Sequence, residues 1–265
     1  MRTPGDIDIY LSGGRRKIMK YVDQVCPNQV MRYHHVDFPV MKTAIEVHFT
    51  PSYMFFPIHN SRMQKWFKEV MGEQCNHRVS LPDGYGEIHM PQVSFNVIYI
   101  LSHLYRHIFT EGIGLRQLLD YYFVLVKWHT DLTNLTDSNK SLPQMTQINT
   151  DLDTLRHELK YLGLWKFAQA VMFVMKEVFG LSEDRMIAPM DEKEGRFLLD
   201  EIMRGGNFGQ YDDRMGSKAG ESKIHRYFRM NLRNLRFVKH YPTEALSEPL
   251  FRTWFAVWKK IHGIK

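Results

Sequence analysis

"GDIDIYL", Gly5 to Leu11, is the stretch on which the reading of the fold turns. Side chains alternate faces along a strand, so Asp6 and Asp8 share one face while Ile7, Ile9 and Leu11 take the other. A second stretch, "TAIEVHFTP" from Thr43 to Pro51, has the same logic. There Ile45, Val47 and Phe49 form an apolar face, opposite Ala44, Glu46 and His48. If the two strands lie near each other with their apolar faces on a common helical layer, three carboxylates converge. Clustered acids raise one another's pKa unless a cation sits among them. Hard oxygen ligands with open positions suit Mg²⁺, and two such ions roughly 3.5–4 Å apart can serve a phosphoryl transfer. A D-x-D pattern alone reads equally well as the wet face of an edge strand. The apolar flanks, the preceding glycine and the matching h-E-h strand shift the balance toward a metal site. His48, beside Glu46 on the same face, either assists that site or is a polar residue at a strand end.

Outward from these strands, the chain to about residue 90 mixes strand-like and helical periods. Gly5–Ser12, Arg32–Val36 and Lys42–Phe49 read as strands, the last two around a turn at "DFPVM". Arg15–Val25 reads as a helix ending before Pro27, and Ser61–Glu73 as one with Ser61 at its N-cap. "HRVSLPDGYGEIHM" reads as a hairpin turning at Asp83-Gly84. From Gln92 the helical period takes over, with an apolar stripe of Val97, Leu101, Leu104 and Ile108, and a second from Leu115, Leu118, Leu119 and Tyr122. Further helices are expected at 151–161, 164–179, 192–204, 221–240 and 244–262, with long loops at 130–150 and 205–220. The "GGNFG" of the latter lacks the strand-then-helix context of a nucleotide fingerprint. The fold class is α+β, with a small α/β domain over 1–91 followed by a helical domain over 92–265.

The chain has 265 residues, enough for a sizeable core. Its two cysteines, Cys26 and Cys75, give neither a disulfide framework nor a metal-ligand spacing. No N-terminal apolar stretch resembles a signal peptide, since Arg2, Asp6 and Asp8 fall where one would be, and runs such as "YYFVLV" are too short to span a bilayer. A cytoplasmic protein without a membrane partner is expected. The formal charge of +6 favours phosphate-bearing partners.

"GDIDIYL" with "IEVHF" resembles the paired acidic strands of the polymerase-β-like nucleotidyltransferase superfamily, D-h-[DE]-h followed by h-[DE]-h. More narrowly, "RTPGDIDIYL", "EVHF" and "SHLYRHIFTEGIGLRQLLDYYFVLVKW" resemble a bacterial family of uncharacterised nucleotidyltransferases that join a catalytic α/β domain of mixed sheet to a helical one. The resemblance implies that Asp6 and Asp8 hold two Mg²⁺ ions, and that Glu46 completes one metal site and helps deprotonate a hydroxyl acceptor. It implies an NTP as donor. It also sets Arg106, His107, Arg116 and Asp120, on the first two helices after the catalytic domain, at the border of the nucleotide cleft. The family's Gly-[Gly/Ser] phosphate turn lies about ten residues before the first aspartate, whereas five residues precede Asp6 and "SGG" at Ser12–Gly14 follows the strand. A domain truncated at its N-terminus is therefore expected, or a non-catalytic member.

Three other patterns carry charge or imidazole at helical spacing. His103 and His107 are spaced i, i+4 but lack the glutamate of H-E-x-x-H, so a polar helix face is the simpler reading. Arg116 and Asp120, also i, i+4, make an ordinary intrahelical pair. In "HRYFRMNLRNLRFVKHY", Arg226, Arg229, Arg233 and Arg236 fall on one helical face with no acid between them, and Ile224, Phe228, Leu232 and Leu235 on another. Such a stripe is either a solvated face or an RNA contact whose affinity falls with salt.

Overall fold

The computed structural model describes residues 7–39, 43–138, 144–206, 212 and 220–264. Asp6 and most of the 205–220 segment lie outside them. In chain order the elements are β1 (Ile7–Tyr10), α1 (Gly14–Val25), β2 (His35–Asp37), β3 (Ile45–His48), α2 (Pro57–Gln74), β4 (His77–Ser80), β5 (Glu87–Met90), α3 (Val93–Thr110), α4 (Leu115–Ser138), α5 (Gln144–Tyr161), α6 (Trp165–Phe179), α7 (Glu192–Gly205), α8 (Lys223–Val238) and α9 (Pro242–Ile261). The fold is mixed α+β and predominantly helical. Two compact units emerge, Met1–Tyr53 with Ser247–Lys265, and Met54–Leu246. The 91/92 boundary expected from the sequence falls inside the second.

The first unit is built on a three-stranded sheet of order β1-β3-β2. β3 runs parallel to β1 and antiparallel to β2. The turn from β1 into α1 passes through Gly13 at φ 122° and Gly14 at φ 77°. An added Cβ at Gly13 would sit 3.0 Å from Lys17 Cδ, and L side chains rarely adopt that φ, so "SGG" is a structural turn of strand into helix. α1 is amphipathic: Ile18 and Val22, one turn apart, pack with Met31, Val36, Val47 and Phe49 into a core, and Phe255 and Trp258 of α9 close it. Arg15 lies over the rings of Tyr33, Phe49 and Trp258 at 5.0–5.3 Å and donates to the Tyr33 carbonyl at 3.0 Å.

One expectation for this sheet fails. The apolar face of β1 is expected against a helical layer, yet Ile7 and Ile9 are 49% and 39% exposed. β1 is an edge strand, and the apolar cluster under the sheet forms around Val36 of β2 and Val47 of β3. Among the β1–α1 residues described, Leu11 reaches it only as a partly buried neighbour.

The second unit is helical apart from the β4–β5 hairpin, where Asp83 and Gly84, at φ 57° and 74°, make the expected turn. Its core includes Tyr105, whose ring centroid lies 5.4 Å from that of Phe109 and 4.8 Å from that of Phe167, and Phe109, 5.4 Å from Phe237 and 6.4 Å from Tyr241. Three helix limits differ from expectation, one of them α5, which begins at Gln144 where a helix from 151 was expected. α2 begins at Pro57, not beyond Ser61, because a proline at the first position needs no N–H partner. α4 runs through to Ser138, where a loop from 130 was expected, helped by the i, i+4 pair Lys127–Asp131 and by Trp128 and Leu132 buried on one side.

Candidate metal centre

The register of the first sheet assembles the site. Asp8 of β1 pairs across to Glu46 of β3, and Glu46 to Asp37 of β2, so three carboxylates form one row across all three strands. Two residues along each strand, on the same face, stands a second row of Tyr10, His48 and His35. The convergence of Asp8 and Glu46 expected from the sequence is present. Asp6 lies outside the described residues. Asp37 takes the third position described.

The imidazoles were largely missed. His34 and His35 are adjacent, and in a straight strand they would point to opposite faces. The chain instead bends at Tyr33–His34 before β2 begins, while the His34 carbonyl accepts from Phe49 N at 3.0 Å and Thr50 N at 3.3 Å. That bend brings His34 in beside His35 and His48, with ring centroids 4.5 Å and 5.0 Å away. His35 and His48 are 5.0 Å apart. The three are 2%, 7% and 2% exposed in chain order. A signal was available in the sequence: "HVD" mirrors "EVH", with polar residues flanking a buried valine on one face.

Carboxylates and imidazoles interlock. His35 Nδ1 lies 3.1 Å from Glu46 Oε2 and 3.3 Å from His34 Nε2, and His35 Nε2 lies 3.8 Å from Asp37 Oδ1. His48 Nε2 is 3.4 Å from Asp8 Oδ1 and 3.5 Å from Glu46 Oε2, ion-pair distances longer than an ordinary hydrogen bond. Burial opposes charge on His48, but interaction with Asp8 and Glu46 outweighs it and lifts the imidazole to about 9. In the metal-free protein a histidinium therefore supplies the positive charge between two carboxylates. Three overlapping groups, His34–His35–His48, Asp8–Glu46–His48 and His35–Asp37–Glu46, each offer ligand atoms within 4.8 Å of one another. This buried face can hold a metal ion, and oxygen donors for Mg²⁺ are present in the carboxylate row.

The other expected site residues lie in the second unit. Arg106 and His107 are buried on α3, where Arg106 Nη2 is 3.1 Å from His107 Nε2, and His107 also meets His103 Nε2 at 2.8 Å and Glu111 at 3.2 Å. Arg116 is exposed and Asp120 half-buried on α4.

The arginine stripe of α8 takes a different form from the uninterrupted positive face expected. Arg229 makes a two-pronged pair with Glu221 at 2.8 and 2.6 Å, and Arg236 pairs with Glu201. Arg233 is buried, donating to the Ile108 carbonyl at 2.9 Å and facing Asp212 at 3.6 Å. Glu221 lies only eight residues before Arg229, while Glu201 and Asp212 are brought onto the stripe from farther along the chain, which no local pattern reveals. Arg226 is exposed, as are Ile224, Phe228, Leu232 and Leu235. Among the described residues no helix is long and apolar enough to cross a membrane. No family model, no curated protein and no solved structure matches the chain.

Proposed function

We propose that this chain is an Mg²⁺-dependent nucleotidyltransferase, moving a nucleoside monophosphate from an NTP to a hydroxyl acceptor. The observation that carries the reading is the parallel pairing of β1 with β3, which stands Asp8 beside Glu46 on one face of the sheet. In this reading Asp8 and Glu46, with Asp6, hold two Mg²⁺ ions, which when bound neutralise phosphate charge and polarise the reacting oxygens. The acceptor oxygen bonds to the α-phosphorus, the bond to pyrophosphate breaks, and the acceptor proton passes to Glu46. His48, 3.4 Å from Asp8 Oδ1 and 3.5 Å from Glu46 Oε2, orients the two carboxylates.

The test is thermal stabilisation by each of the four NTPs, with and without Mg²⁺, for the wild type and Asp8→Asn. A ligand that binds only the native state stabilises it by about 2.7 kcal/mol at a hundred times its Kd. A Mg²⁺-dependent rise with one NTP, lost in Asp8→Asn, is the expected result. An equal rise in the variant removes Asp8 from the site. No rise with any NTP favours the second reading, a non-catalytic α/β scaffold whose helical part binds a partner. RNA as that partner has less support once Arg229, Arg233 and Arg236 are seen to be matched by carboxylates.

A further inference from the structure

Mg²⁺ uses only the oxygen side of the cluster, beside which three imidazoles are buried. We infer that His34, His35 and His48, together with Glu46, form a binding site for a transition-metal dication of the Zn²⁺ class. This inference needs no nucleotide and does not rest on the transferase reading.

Three observations carry it. One ring nitrogen from each histidine can be chosen so that all three lie within 4.8 Å of one another, close enough to surround a single ion. The rings are almost fully withdrawn from water, where three mutually contacting imidazoles are an expensive arrangement unless something shares their lone pairs. Most directly, His48 Nδ1 is buried with no hydrogen-bond partner among the described residues. Buried ring nitrogens in folded proteins are normally satisfied.

The donor set selects the metal. Imidazole nitrogen suits Zn²⁺, Co²⁺ and their neighbours, whereas Mg²⁺ prefers oxygen alone. Three histidines and one carboxylate oxygen make four ligands, the usual number for Zn²⁺. Glu46 Oε2, 3.1 Å from His35 Nδ1, is placed either to enter that set or to orient the ring, as carboxylates commonly do for ligating histidines.

The experiment is a Co²⁺ titration of the chelator-stripped chain, followed through the visible ligand-field bands of nitrogen-coordinated Co²⁺, then displacement by Zn²⁺ and by a large excess of Mg²⁺. One Co²⁺ per chain, displaced by Zn²⁺ and untouched by Mg²⁺, is expected. His35→Ala and His48→Gln should each weaken binding by about tenfold or more, with circular dichroism confirming that each folds. His225→Ala, an exposed position on α8, should leave binding unchanged. Absence of the bands in the wild type overturns the inference. So does equally tight binding by folded His35→Ala and His48→Gln, since it would place the ion on others of the thirteen histidines. If either variant is unfolded, the wild-type bands and their displacement order decide. A wild type that fails here yet is stabilised by Mg²⁺ with an NTP loses only this inference, and the converse result loses only the transferase reading.

Discussion

Glu244 and Glu194 of the helical unit and the carboxylate–histidine face of the sheet unit treat buried charge in opposite ways. In the helical unit, the almost fully buried Glu244 carboxylate accepts from Phe55 N at 2.7 Å, Phe56 N at 3.1 Å and His59 Nδ1 at 3.0 Å. Glu194, also buried, has Lys166 at 3.1 Å and His240 Nδ1 at 2.7 Å, and the His240 ring stacks on Phe197 at 3.6 Å. Each carboxylate is closed off by short contacts from its own protein. In the sheet unit the carboxylates are half-open to solvent, the contacts to His48 are 3.4 and 3.5 Å, and a buried ring nitrogen is left over. Both are clusters of acid and histidine, and their composition alone would not separate them. What separates them is saturation: one set holds the fold together, and the other leaves capacity for a further ligand.

That contrast can be broken from the structural side first. Glu244→Ala strips two backbone N–H groups and an imidazole of their acceptor in the interior, and should cost about 3–5 kcal/mol in urea unfolding. A loss below about 1 kcal/mol would mean that saturation does not measure structural weight. Arg233→Ala removes a buried donor to the Ile108 carbonyl and an ion-pair partner of Asp212, and should cost about 2–4 kcal/mol. It should also leave the salt dependence of any RNA binding unaltered in a filter assay. A flattened salt slope in a folded variant would restore α8 as a phosphate-binding face.

The smallest effect sharpens the comparison on the sheet side. His48 is lifted from 6.5 to about 9 in the folded, metal-free protein. A raised pKa contributes stability that is fully present below 6.5 and is lost as pH rises through about 9. Because Asp8 and Glu46 are partly solvated, the effect should be roughly 1–2 kcal/mol. Chelator-treated wild type should therefore lose stability between these limits, and His48→Gln should lose that part of the slope. A flat profile would show that His48 is neutral there.

The legible part of this molecule was what periodicity controls. Alternation in "GDIDIYL" and "IEVHF" assigned Asp8 and Glu46 to one face each, and the stripe of Val97, Leu101, Leu104 and Ile108 announced the buried side of α3, whereas on α4 Leu118 is buried and Leu119 is exposed. Whether β1 and β3 pair is a long-range fact, and the register that sets Asp8 against Glu46 had to come from the structure. The same limit hid Asp37, which matters only because β2 flanks β3 on the other edge. His34 was hidden more deeply, since strict alternation separates it from His35 and only the bend at Tyr33–His34 reunites them. The exposure of Ile7 and Ile9 inverts a rule that serves well in central strands: an apolar face is buried only if something lies against it. On α8 the periodic arginine face was visible, while two of its carboxylate partners, Glu201 and Asp212, came from elsewhere in the chain.

The central claim is that the polar face of the β1-β3-β2 sheet is a dication site. The most direct test is a crystal structure of the protein grown with Mn²⁺, an ion that accepts both oxygen and nitrogen ligands, with anomalous diffraction to locate it. The account predicts an anomalous peak in coordination contact with Glu46 and with Asp8 or His48. A well-diffracting crystal with Mn²⁺ bound elsewhere, and this face filled only by the histidine–carboxylate contacts, would contradict it.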